Sequence, residues 1–174
     1  MSTLSAQDFH DRHGGNLYAL FESRFPPDGD ARWAIETADG RRYGFSDLRE
    51  GSARVEAWLG GLGIERGARV LCQVDKSVEA VLLYLGVLRA GLCYVPLNPA
   101  YREAEVRHFL ADAEPAVVVC RPADEGCVFC TPSLQRTPDL LRGAVCRRRS
   151  HRGGWRWRYG GGLASDHHEH RAES

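Results

Sequence analysis

One arrangement in the sequence has metal-ligand spacing. Cys127 and Cys130 are separated by two residues, fifteen more lead to Cys146, and a further four to His151. Two thiolates on a tight turn, with a later thiolate and an imidazole, form the donor set of a small tetrahedral zinc site. The stretch 146–158 adds Arg147, Arg148, Arg149, Arg152, Arg156 and Arg158 with Trp155 and Trp157, cations for phosphates and indole faces for bases. Against a finger, Pro132 and Pro138 fall between the ligand pairs, and little apolar bulk is at hand to pack over a metal. Without a fold the same arginines imply weak, salt-dependent attraction to any polyanion and no specific nucleic-acid partner. The run Asp166, His167, His168, Glu169 and His170 can catch a stray divalent ion but lacks a scaffold, and it reads as a solvated terminus.

Elsewhere the reactive residues are few. Lys76 is the single lysine of the chain. Cys72, Cys93 and Cys120 each sit in a short apolar run, where cysteine behaves as a small buried hydrophobe in a reducing compartment. The sequence therefore assigns no catalytic, cofactor-binding or metal residue, and the set Cys127, Cys130, Cys146 and His151 stands as an alternative reading, a binding module with a zinc-dependent basic tail.

Overall charge balance, 23 basic against 23 acidic residues, conceals two unlike segments. Residues 126–174 hold nine Arg and four acidic residues, a formal +5, against −5 for residues 1–125. The first segment has the regular apolar spacing of a packed domain; the second is rich in Arg, Gly, Ser, His and Cys, with too few aliphatic side chains for a core. Asp8, His10, Asp11 and Arg12 interrupt any leader-like apolar run, so a cytoplasmic protein is expected. The most apolar stretch, residues 78–90, falls short of the roughly 20 residues that cross a bilayer, and no membrane partner is expected.

The elements follow from pattern. Residues 16–25 place Leu17, Leu20 and Phe21 at helical spacing before Pro26 and Pro27. Residues 33–37 and 41–45 flank Asp39-Gly40, a pair suited to a tight hairpin. Ser46 is the expected N-cap of a helix striped by Leu48, Ser52, Val55, Leu59 and Leu62 and ended at Gly63. Strands over 69–74, 92–97 and 116–120 alternate with helices over 77–89 and 102–112, the last broken by Pro115. Short apolar strands joined by helical crossovers define a parallel β-α-β-α-β unit, so the fold class is α/β. Division follows as a flexible stretch 1–15, a subdomain 16–122, and an Arg/Gly/Cys-rich tail 123–174. The abrupt compositional change marks that tail as out-of-frame translation of a GC-rich gene and disordered.

Within this frame, Gln73-Val74-Asp75-Lys76-Ser77 and the run Tyr84-Leu85-Gly86-Val87-Leu88-Arg89-Ala90-Gly91-Leu92-Cys93-Tyr94-Val95-Pro96-Leu97-Asn98-Pro99-Ala100-Tyr101 strongly resemble the N-terminal subdomain of AMP-forming acyl-CoA synthetases. Within that superfamily they are most similar to the malonyl-CoA synthetases, and the resemblance covers residues 16–122. It implies carboxylate activation through an acyl-adenylate and transfer to the CoA thiol, with ATP, Mg, CoA and a small carboxylate such as malonate as reactants, in the setting of fatty acid metabolism. Such chemistry needs a phosphate-cradling loop, the metal and a lysine at the developing charge. The family's Pro-Lys-Gly loop, aromatic-Thr-Glu and Thr-Gly-Asp motifs and C-terminal lysine do not occur in this sequence, and Lys76 matches none of them. The matching residues read as scaffold, with Lys76 and Tyr101 as the two that border any ligand. A chain without catalytic activity that self-associates through an uncovered sheet is the resulting expectation.

Overall fold

The computed structural model describes residues 5–29, 32–120, 144–151 and 154–159, the last two segments as backbone strands. A helix opens it. The helix α1 (Ala6–His13) starts at a reciprocal cap, in which the Asp8 N–H donates to Ser5 Oγ at 3.1 Å and the Ser5 N–H donates to Asp8 Oδ2 at 3.2 Å. Gly14 closes it in the left-handed region, with φ of 58°. The sequence reading gave no element before residue 16; the Ser-x-x-Asp signal was present but preceded no apolar stripe.

Asn16 caps α2 (Leu17–Glu22), its Oδ1 accepting from the Tyr18 N–H at 2.8 Å. The residue this helix buries is Tyr18, whereas Leu17 on the expected apolar face is exposed. The strands β1 (Trp33–Glu36) and β2 (Arg42–Gly44) form the expected antiparallel hairpin, with Gly40 at φ 81° in its turn and a register irregularity between Trp33 and Ile35. A cap two residues earlier than expected starts α3 (Phe45–Gly61): Gly44 is the N-cap, and its N–H donates to Asp47 Oδ2 at 2.7 Å. Ser46 lies in the first turn, close over Gly29, where even a Cβ would come within 2.4 Å of Ser46 Oγ.

The sheet follows the sequence reading over β3 (Arg69–Gln73), α4 (Val78–Arg89), β4 (Cys93–Pro96), α5 (Glu103–Ala113) and β5 (Val117–Cys120). Ser77 caps α4, accepting from the Ala80 N–H at 3.1 Å. A Schellman pair ends it: the Leu92 N–H donates to Val87 O at 3.0 Å and the Gly91 N–H to Leu88 O at 2.9 Å, with Gly91 at φ 72°. The accompanying apolar contact unites Val87 and Leu92 in one cluster. Both crossovers join parallel strands, and the spatial order is β4-β3-β5. Because the chain steps first one way and then back across β3, right-handed crossovers put the helices on opposite faces. Alternation along the strands does the rest. Val70, Cys72, Val117 and Val119 pack with Val55 and Leu59 of α3 and Leu83 and Val87 of α4. Leu71 and Val118 pack with Leu97, just after β4, and with Val106 of α5 on the other side.

Two departures concern edges. Cys93 is exposed, because β4 borders the sheet and only β3 covers its flank; Cys72 and Cys120, on inner strands, are buried as expected. Within the segment read as a tail, β6 (Ala144–His151) and β7 (Gly154–Tyr159) extend the sheet antiparallel beyond β5, giving the order β4-β3-β5-β6-β7. The sequence reading placed no element there; β6 shows no apolar alternation, and the alternation Trp155-Arg156-Trp157-Arg158-Tyr159 in β7 is a strand signal it passed over. No described helix is long and apolar enough to cross a membrane.

Candidate functional site

In an open parallel sheet, ligands sit where loops leave adjacent strand ends toward opposite faces. Here that point lies beyond the carboxyl ends of β3 and β4: the 74–77 loop climbs to α4, and the 97–102 loop descends to α5. Gln73 closes the gap. Its Nε2 donates to Tyr101 O at 2.9 Å and to Asn98 O at 3.3 Å, tying the end of β3 to the turn after β4. Asn98 Oδ1 in turn accepts from the Ala100 N–H at 2.9 Å, an Asx turn that fixes the Pro-flanked corner. The ring of Tyr101 stacks on Phe109 of α5 with centroids 5.4 Å apart.

Both donors of the Gln73 amide are thus spent on carbonyls of the scaffold, and Tyr101 is committed to packing. Lys76 is exposed in the neighbouring loop. Gln73 thus links the end of β3 to the turn after β4 beside the strand ends. Sequence reasoning had not singled out Gln73; its signal was a lone amide ending an apolar strand, where a half-buried polar group finds partners.

A second constellation was read only as a helix end. Arg89, in the last turn of α4, donates through Nε to Glu56 Oε2 at 2.7 Å, and through Nη1 to the Tyr18 hydroxyl at 2.8 Å and to Arg49 O at 3.2 Å. Its guanidinium lies 4.9 Å from the centre of the Tyr18 ring. The Ser52 hydroxyl, fully buried, donates to the Tyr18 oxygen at 3.2 Å, and that hydroxyl faces Glu22 Oε1 at 3.1 Å. Asn16 Nδ2 reaches Arg89 O at 3.4 Å. Burial first, and then the carboxylate of Glu22, hold the Tyr18 phenol above its ordinary range, although Ser52 and Arg89 pull the other way. The network ties α2 to the α3–α4 pair through a planar five-donor cation, a task for which Lys is too compact. Neither a nucleophile with its base nor a converging set of donors is present in it, so it joins elements and performs no bond chemistry.

Cys72 is inert by environment. Burial, partly offset by the Tyr94 hydroxyl, pushes the Cys72 thiol far above its usual value, and burial likewise raises Tyr94, whose ring meets Tyr84 edge-on at 5.2 Å. Of the zinc set, Cys127 and Cys130 lie outside the described residues, while Cys146 and His151 occupy backbone positions at the start and end of β6. Asp166, His167, His168, Glu169 and His170 also lie outside them. Among the described residues no group of three His, Cys, Asp or Glu side chains is placed to hold a metal ion.

Comparison with known proteins agrees with the motif. Residues 23–152 match the family model described as AMP-binding enzyme. Among solved structures, the chain superimposes on apo MatB from Rhodopseudomonas palustris with a TM-score of 0.57 at 44% identity, covering 62% of this chain and 21% of that one; an ATP-bound form of MatB gives the same TM-score and coverage at 43% identity. Syringomycin synthase SyrB1 of Pseudomonas syringae is 32% identical over 120 residues, 67% of this chain and 19% of that protein. A long-chain-fatty-acid–CoA ligase of Bacillus subtilis is 33% identical over 95 residues, 53% of this chain and 17% of that protein. The chain spans a fifth or less of the length of these curated relatives. With its parallel β4-β3-β5 unit, its Schellman-capped α4 and a family match over most of its length, this chain belongs to the AMP-binding enzyme family, as an N-terminal part of an adenylate-forming ligase.

Proposed function

We propose that these residues are the N-terminal scaffold of an enzyme that activates a small dicarboxylate, malonate, as its acyl-adenylate and passes it to CoA in the cytoplasm, and that residues 1–174 by themselves do not catalyse this reaction. The observation that carries the substrate class is the 44% identity to MatB, a malonyl-CoA synthetase, which exceeds the identity to the peptide-synthetase and fatty-acyl relatives. Inactivity rests on the sequence: the phosphate loop, the acidic motifs and the C-terminal lysine of the family are not in it. The residues described do not fit Mg-ATP, because the family's phosphate loop is not in the sequence and no three described His, Cys, Asp or Glu side chains are grouped to hold a metal ion.

Carboxylate-dependent exchange of labelled pyrophosphate into ATP is the test. None is expected from the 174-residue chain with malonate or a fatty acid, and exchange above the no-enzyme blank overturns the proposal. Fusing residues 1–120 to the remaining portion of a malonyl-CoA synthetase should restore malonate-dependent exchange; a preference for another acid there removes malonate while leaving the family intact.

For residues 123–174 we hold to out-of-frame translation. The family match running on to residue 152 is the finding such a reading must accommodate. Translating the gene in its other two frames decides it, since the phosphate loop must appear within a few hundred bases. Self-association is part of the same proposal. Pro96 removes one outward backbone donor from the β4 edge, so the apolar α5 face is the surface more in need of cover. A sharp 19 kDa monomer in size-exclusion chromatography would refute it.

A further inference from the structure

The two helices ahead of the β1–β2 hairpin are held from outside rather than by a core of their own. No side chain of α1 is buried, and α2 buries one, Tyr18. That ring enters the cluster of Leu48, Val78, Leu82 and Leu85, with Phe21 and Phe25 partly buried against the same cluster. Its hydroxyl is fully used: it accepts from Arg89 Nη1 at 2.8 Å and from Ser52 Oγ at 3.2 Å, and it donates to Glu22 Oε1 at 3.1 Å. Arg49 of α3 supplies a second hold, with Nε 3.7 Å from Glu22 Oε1, its guanidinium 5.4 Å from the centre of the Phe25 ring, and Nη2 donating to Pro26 O at 3.5 Å. These holds converge on Arg49, Ser52 and Arg89, all carried by α3 and α4.

A fixed point follows at once. Gly29 is buried, its carbonyl accepts from the Phe45 N–H at 2.8 Å, and a Cβ there would lie 2.4 Å from Ser46 Oγ. The chain is thereby pinned to the start of α3, and Pro26 and Pro27 stand between that pin and α2. On the other side of the pin α3 and α4 bury Leu59, Leu83 and Val87 completely. A segment with one buried side chain, bounded by a fixed point and lying on a sealed helix pair, opens at lower free energy than that pair. We propose that residues 5–25 form a latch, keyed by Tyr18 into the socket of Arg89 and Ser52, which opens as one unit about residues 26–29 while α3, α4 and the parallel sheet stay folded. Opening takes Tyr18 off Leu48, Leu82 and Leu85 and leaves Arg49 and Arg89 without Glu22 and the phenol.

The test is native-state hydrogen exchange of the full chain, followed amide by amide over a series of urea concentrations. Leu20, Ser23 and Phe25, whose N–H groups donate to Asn16 O, Ala19 O and Glu22 O, should share one opening rate. That rate should be at least about tenfold faster than at residues 70–72 of the inner strand β3, with a weaker urea dependence because less surface is exposed. Tyr18→Phe keeps the ring and removes the hydroxyl, so it should speed the three latch amides about fivefold and leave residues 70–72 unchanged. Leu17→Ala, at an exposed position of the same helix, should change neither set. Exchange of the three amides in step with residues 70–72 at every urea concentration would overturn the proposal, and the parent chain alone decides that point. Graded exchange of the three with no urea dependence would also overturn it, as fraying of a helix end without a latch. So would a Tyr18→Phe chain whose latch amides exchange as in the parent, or one in which both sets speed alike.

Discussion

On one face of the parallel sheet Val70, Cys72, Val117 and Val119 meet two helices, α3 and α4; on the other, Leu71 and Val118 meet α5 alone. The two-helix face includes several side chains with no measurable exposure, among them Leu59, Leu83, Val87 and Val117. The one-helix face relies on partly buried Val95, Tyr101, Phe109, Leu110 and Ala113 to complete its packing. What the difference teaches is where this unit is self-sufficient. The α3–α4 side is closed by its own residues and bolted by Arg89, while the α5 side is held by one amide tie from Gln73 and an edge strand with exposed ends.

Truncations should measure the asymmetry most strongly. Leu59→Ala and Leu83→Ala remove bulk from sites that cannot collapse, because both are sealed between helix and sheet, and each should cost about 3–4 kcal/mol in urea unfolding. Val106→Ala on α5, next to side chains able to shift into the gap, should cost about 1–2 kcal/mol. Equal losses on the two faces would break the comparison.

Overpacking gives a smaller probe. A Cβ on Gly86 would stand 2.4 Å from Val55 Cβ and 3.0 Å from Ser52 O, so α3 and α4 approach as closely as a bare backbone permits. Gly86→Ala should therefore destabilise by about 1–3 kcal/mol, although alanine is the better helix former. A stabilised Gly86→Ala would show that the helix pair can slide and that the two-helix face is less rigid than its burial suggests.

The polar ties come next. Gln73→Leu leaves Asn98 O and Tyr101 O without their donor and should cost about 1 kcal/mol while raising hydrogen exchange at residues 98–102. Arg89→Lys should cost a comparable amount, about 1 kcal/mol, because an ammonium cannot meet Glu56, Tyr18 and Arg49 O together. If Gln73→Leu left exchange at 98–102 unchanged, the crevice would be held by something other than this amide.

These sites also mark how far the sequence could be read. The succession of parallel strands and helical crossovers was legible because β3 and β5 are short apolar runs separated by helices with clear stops, Gly91 and Pro115, whereas the spatial order β4-β3-β5 was not. The three-helix, three-strand frame needed only periodicity and caps. What escaped was set by pairing at a distance. Tyr18 carries a hydroxyl that a hydropathy stripe discounts, yet it is the buried residue of α2 because Arg89, 71 positions away, supplies its partner. Cys93 looks as apolar in context as Cys72, and only the sheet order, with β4 outermost, exposes one and hides the other. Nor does composition announce β6 and β7: β6 takes its place by a backbone ladder to β5, and β7 by one to β6. The family motif, for its part, was visible as a string of residues, but its use as a switch-point tie depends on Gln73 reaching two carbonyls that no pattern predicts.

The mildest probe is chemical, and it compares thiols in place of faces. Cys72 lies in the sealed two-helix core and Cys93 on the open edge, on strands paired one beside the other. Burial raises the folded-state values of Cys72 and of Tyr94 above their unfolded ones, which means that the native structure holds the protonated forms. Their contribution is then complete below the ordinary thiol value of 9.0 and is lost as pH climbs through and beyond it, because the unfolded chain ionises there and the folded chain does not. Stability should fall by about 1 kcal/mol between pH 8 and pH 10 through Cys72, at most about 1.4 kcal/mol per pH unit, with a smaller, solvent-screened share from the half-exposed Tyr94. Cys72→Ala should remove the thiol's share of that slope and leave the tyrosine's. In the same pH range a maleimide followed by peptide mass mapping should label Cys93 rapidly, and Cys72 and Cys120 only at the rate of global opening, because both are buried out of the reagent's reach. Equal labelling of Cys72 and Cys93 under native conditions would mean that the two-helix face opens as readily as the edge, and the asymmetry between the faces would then be one of geometry without a matching difference in stability.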